Sequence, residues 1–133
     1  MASGYLQHCR RRACQARWLA EALVWSNYYR VVMPHRRLEH LLPLCRPRCS
    51  SSRADVSGIS AVVERVPSWI TGSSVCLVRS LVLASMLRRR GHGARVIVGA
   101  PRRREGAFCA HAWVAMDGAE PAVDDYVPLL LLP

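Results

Sequence analysis

Apolar residues recur at three- and four-residue steps through the first half of the chain and switch to alternation near its end, and this change of period divides the sequence. Over residues 15–33, Trp18, Leu19, Ala22, Leu23, Trp25, Tyr29 and Val32 lay one stripe down a helix that Pro34 ends. A shorter apolar set, Leu38, Leu41 and Leu42, stops at Pro43. Residues 45–55 hold prolines, a serine run and no period, and read as a loop or linker. From Asp55 a third helix sets Val56, Ile59, Val62, Val63 and Val66 on one side and stops at Pro67.

The stretch TGSSVCLVRSLVLASMLRRRG is apolar on nearly every side, the pattern of a helix at the centre of a fold. Ser73 or Ser74 is its expected N-cap, its last turn carries three arginines, and Gly91 is its expected stop. ARVIVGA then reads as a strand, PRRREG as a turn, and CAHAWVAMDGAEPAVDDY as a hairpin. Helices first and antiparallel strands afterwards predict an α+β fold: N-terminal helices, then a central cysteine-bearing helix packed on a small antiparallel sheet. At 133 residues the expected organisation is a single domain, with a variable helical part over 1–67 and a core over 68–133.

Candidate chemistry follows from the hairpin. If Asp117 and Gly118 form a two-residue loop, Met116 pairs with Ala119 and His111 with Asp124, and cross-strand partners project to one face. A longer loop would hand Asp124's place to Asp125, or even to Asp117. Alternation puts Cys109, His111, Trp113 and Ala115 on that face, expected beneath the helix, and Phe108, Ala110, Ala112, Val114 and Met116 on a wholly apolar one. Cys76 lies in the first turn of the central helix, where free backbone N–H groups and the macrodipole favour a thiolate. Nucleophile at a helix start, base on a strand and carboxylate beside it make the layout of a thiol catalyst.

Composition narrows the partners only a little. The net charge of +10 comes from arginine alone, in runs such as Arg88 to Arg90 and Arg102 to Arg104. Such a surface attracts polyanions. The arginines cluster at helix ends and turns without interleaved aromatics, so a nucleic-acid partner is not expected, and an arginine-rich anion binder stands as the non-enzymatic alternative. The six cysteines are unevenly spread and no secretory signal pattern precedes them, which places the protein in the cytoplasm with reduced thiols. No apolar run approaches the roughly 18 residues of a membrane span, and VPLLLLP reads as a strand or a tail that packs on a partner. His35, His40, Cys45 and Cys49, or His8, Cys9 and Cys14, match no common zinc spacing, so neither metal nor cofactor is expected.

CLVRSLVLASMLRRRGHGARVIVGAPR followed by AHAWVAMDG resembles the stand-alone leader peptidases of lasso-peptide biosynthesis, whose fold is similar to transglutaminase and papain-like cores. The resemblance is specific from about Ser74 to Asp125 and looser from Trp18 to Pro67. It implies Cys76 as nucleophile, His111 as general base and acid, and an aspartate of the following strand, Asp124 fitting best, as the group that orients the histidine. It also implies a ribosomally made precursor peptide as substrate, a separate leader-binding protein to present it, and a macrolactam synthetase downstream. The departures are Ala115, where such proteins usually carry an acidic residue, and a segment AEPAV about one residue longer than usual, which leaves Asp124 and Asp125 both open. Acyl transfer to an amine in place of water uses the same three groups and is the alternative chemistry.

Overall fold

The computed structural model describes residues 2–44, 53–72, 74–103, 109–117 and 125–133, with side chains from Arg11 in the first segment and from Asp55 in the second. Helix α1 runs over Ala2–Val32, well beyond the stretch its apolar stripe marks. Nothing between Ala2 and Val32 breaks a helix, so the backbone continues past the part that packs. Ala22 and Tyr29 are fully buried, while Trp18, Leu23, Trp25 and Val32 border the core. A 3-10 turn at Leu38–His40 follows, and Leu41 beside it is buried.

Helix α2 spans Arg53–Glu64 and delivers the expected stripe, with Ile59, Val62, Val63 and Val66 all buried. Beyond Pro67 comes α3, a short helix over Ser68–Thr71 that the sequence pattern does not announce. Four residues are too few to show a period. Gly72 then adopts φ 76°, a conformation open to glycine and strained for other residues.

Helix α4, Val75–Arg88, is the centre of the fold, packed by α1 and α2 on one side and the sheet on the other. Ser74 is its N-cap, but the hydroxyl makes no capping bond; the Ser74 carbonyl instead accepts the Val78 N–H at 3.0 Å. The C-terminal end behaves as its residues suggest. Gly91 takes φ 88°, and Arg90 donates to the Met86 carbonyl at 2.8 Å, satisfying an orphan acceptor of the last turn.

The described sheet has three antiparallel strands, β1 (Ala94–Pro101), β2 (His111–Met116) and β3 (Tyr126–Leu132), in the order β2-β1-β3. β2 and β3 both pair with β1, and Leu132 near the end of β3 pairs with Val96 and is fully buried. The expected two-residue loop at Asp117 and Gly118, and the strand expected after it with Asp124 opposite His111, fall on residues 118–124, which lie outside the described ones.

One correction concerns the faces of β2. Ala112, Val114 and Met116 join Ala94, Val96 and Val98 in the core against α4, so it is the apolar face that packs beneath the helix. His111, Trp113 and Ala115 share the other face with Arg95, Ile97 and Gly99, and His111 and Trp113 still line a cleft with residues of α4.

Candidate active site

Cys76 is the second residue of α4, half-buried, with a free thiol. In the first turn of a helix the backbone N–H groups have no intrahelical acceptor, so this end of α4 favours negative charge on sulfur or on a nearby oxyanion. The thiol lies 4.0 Å from the Ala110 carbonyl oxygen, the residue immediately before His111. Cys76 and His111 line one cleft of about 300 Å³, formed by α4, α2 and β2. Among the described contacts no hydrogen bond joins the thiol to the imidazole; the thiol points to the Ala110 carbonyl.

The imidazole is held by aromatic rings. The His111 ring stacks on Trp113 at 6.2 Å between centroids and lies 5.2 Å from the ring of Tyr126, with Trp113 and Tyr126 themselves 6.2 Å apart. Three rings from two strands meet because the strand between them contributes no side chain at this point. His111 pairs with Gly99, and a Cβ placed there would stand 2.7 Å from Trp113 Cη2 and 2.8 Å from the Val127 carbonyl oxygen. A register shift between Val98 and Gly99 then sets Tyr126 opposite Pro101, on the face of His111. Gly99 and Tyr126 carried no expectation from the sequence. The signal for the first was available, since a glycine interrupting the run Arg95 to Val98 marks a bulge or a close approach.

The aspartates separate by position. Asp117 sits at the far end of β2, where its N–H donates to the Gly93 carbonyl at 3.1 Å and its carboxylate lies 3.7 Å from Arg95. Six residue steps of strand, roughly 20 Å, separate it from His111, so it does not orient that ring. Asp125 is exposed, and its carbonyl accepts the Arg102 N–H at 2.9 Å, at the same end of the sheet as His111. The chain at Asp125 and Tyr126 thus arrives beside the imidazole; Asp124 lies outside the described residues.

Arg79, one turn along α4 from Cys76, also lines the cleft and donates to the Val66 carbonyl at 2.9 Å. It ties the chain just beyond α2 to α4. Two larger hollows, each about 480 Å³, lie elsewhere along α1 around Cys14 and Trp18, and neither is lined by a histidine among the described residues. Among the described residues no group of three or more His, Cys, Asp or Glu gathers as a metal site would require. Cys45 and Cys49 fall outside them.

A family model, the transglutaminase-like superfamily, matches residues 16–129, from within α1 into β3. The chain belongs to the transglutaminase-like superfamily. Its members are typically cysteine peptidases and acyltransferases, and helices with a three-stranded antiparallel sheet are consistent with such a core. No curated protein and no solved structure matches the chain. In a transglutaminase-like domain the meeting of a helix-start cysteine and a strand histidine in one cleft has a direct chemical use.

Proposed function

We propose that this transglutaminase-like domain is a cytoplasmic thiol peptidase that removes the leader from a ribosomally made precursor of the lasso-peptide type. The observation that carries the reading is the shared cleft of Cys76 and His111, with the thiol against the carbonyl of residue 110. Cys76 is the nucleophile, His111 the general base and acid, and Asp124 the group that orients the imidazole.

The thiol turns from the Ala110 carbonyl to His111, which takes its proton, and the thiolate attacks the scissile carbonyl carbon. The oxyanion that forms is placed toward the free N–H groups of α4's first turn. Collapse breaks the C–N bond; His111 returns the proton to the departing amine of the core peptide, and the leader stays on sulfur as a thioester. Water, losing a proton to His111, attacks the thioester, and the leader leaves as a carboxylic acid while the thiol is restored. A separate leader-binding protein presents the precursor, and a macrolactam synthetase acts on the released core.

Mixing purified Cys76→Ala with precursor and leader-binding protein tests this. Cleavage is expected to vanish, whereas the wild-type protein traps a leader thioester visible by mass spectrometry. Undiminished cleavage by the variant defeats the assignment. The superfamily equally holds acyltransferases. Product mass separates the two, since transfer to an amine leaves an amide where hydrolysis leaves an acid.

A further inference from the structure

The cleft beside Cys76 has a direction and a length. One wall is a row along α4, Cys76, Arg79 and Leu83, and at 1.5 Å per residue it covers roughly 10 Å. The facing wall is β2 from His111 to Val114, which at about 3.3 Å per residue also covers roughly 10 Å. Both rows start together, because the Ala110 carbonyl touches the Cys76 thiol, so Leu83 and Val114 fall at the same far end. Val63 of α2 lines the same cleft.

The shape selects an extended ligand. A helical segment is roughly 10 Å across with its side chains, too wide for about 300 Å³ over this length. An extended chain advances about 3.3 Å per residue, so three residues fill the distance from the thiol to Leu83. The chemistry changes along the way. Arg79 lines the middle and gives one N–H to the Val66 carbonyl, while its buried Nε has no hydrogen-bond partner among the described residues; Ser60, Glu64 and Ser80 add further polar groups, and Val63, Leu83 and Val114 supply the aliphatic ones.

We propose that the cleft holds about three residues of extended peptide on one side of the bond that is cut, and that Val63, Leu83 and Val114 select a branched aliphatic side chain at the residue farthest from the thiol. This rests on Cys76 being the nucleophile. Burying a leucine side chain there in place of glycine corresponds to roughly tenfold or more in affinity.

The test uses the full chain and reads the rate at which iodoacetamide alkylates Cys76, mapped by mass spectrometry so that the other thiols do not contribute. Acetyl-Gly-Gly-Leu-amide, acetyl-Leu-Gly-Gly-amide and acetyl-triglycine-amide are compared at millimolar concentration. One leucine peptide is expected to protect Cys76 at a concentration roughly tenfold or more below triglycine, and which of the two does so gives the chain direction. Leu83→Ser and Val114→Thr, each measured against its own peptide-free rate, are expected to erase the preference. Equal protection by all three peptides overturns the proposal, and so does a leucine preference that survives both substitutions. Protection without turnover of any precursor defeats the hydrolytic reading and leaves the cleft assignment standing; turnover without leucine preference does the reverse.

Discussion

Gly99→Ala puts the meeting of the three rings to a quantitative test. Gly99 does not adopt positive φ, so alanine meets no backbone strain there and the whole cost is steric. Its Cβ would stand 2.7 and 2.9 Å from two ring carbons of Trp113, and 2.8 Å from the Val127 carbonyl oxygen. Backbone of the paired strand cannot yield cheaply, so the indole must move, and with it the rings of His111 and Tyr126. Overpacking of this kind costs about 1–3 kcal/mol. Against it stands a gain of about 0.4–1 kcal/mol, because alanine restricts the unfolded chain more than glycine. The net expectation is a loss of about 1–2 kcal/mol, a fall in Tm of several degrees, and a drop in any Cys76-dependent turnover beyond what unfolding explains. Urea unfolding followed by tryptophan fluorescence measures the first quantity. Gly93→Ala is the matched control: its Cβ meets only the Asp117 carboxylate, which is 75% exposed and free to swing aside, so a change within about 0.5 kcal/mol is expected. Equal or greater stability for Gly99→Ala would refute the close packing beneath Trp113.

Four further outcomes follow from the same structure. Tyr29 is fully buried; its hydroxyl shares a hydrogen bond with that of Ser85, with the Leu41 carbonyl 3.2 Å from the phenol oxygen and the Leu81 carbonyl 2.7 Å from the Ser85 oxygen. Tyr29→Phe should cost about 1–2 kcal/mol in urea unfolding. Burial pushes the phenol up to about 12, so the folded state holds the proton that the unfolded chain releases near 10. That stabilisation is complete below pH 10 and is lost as pH rises through 12, a decline on the order of 2–3 kcal/mol that Tyr29→Phe should flatten. Arg79→Met removes the tie to the Val66 carbonyl and should cost about 1–3 kcal/mol in thermal or urea unfolding. Tyr126→Phe keeps the ring against His111 and should retain turnover, whereas Tyr126→Ala should lower it beyond what unfolding explains; equal turnover by both variants would remove Tyr126 from the positioning of the imidazole.

The legible parts of this fold are those where one physical term dominates. Helices α1, α2 and α4 were marked by apolar period and by Pro34, Pro67 and Gly91, since burying a stripe fixes both the element and its orientation. The apolar face of β2 was equally clear. The pairing of β3 with β1 was not, because it joins segments well separated in sequence and no local turn signal marks it. For the site, Cys76 and His111 were readable from a helix start and a strand position, and the structure brings both to one cleft. The ring contact of Tyr126 was hidden because it depends on a bulge and on the missing side chain of Gly99 in the intervening strand.

The N-terminal helices bear on the site through α4 itself. That helix is anchored by its own arginines to backbone carbonyls outside it: Arg79 to Val66 at 2.9 Å, and Arg88 to Pro43 at 3.0 Å and Ala94 at 2.6 Å. Arg90 adds a short, partly buried pair with Glu21 of α1 at 2.6 Å. Hydrogen bonds from a charged donor are stronger than neutral ones, and a guanidinium fixes direction as well as distance. Apolar packing alone would let a helix that is greasy on most sides slide or rotate among similar contacts. These directional ties remove that freedom, and with it the freedom of Cys76 to drift along β2 away from His111. The arginines of this stretch therefore do more than raise net charge: they hold the thiol at the height of the imidazole.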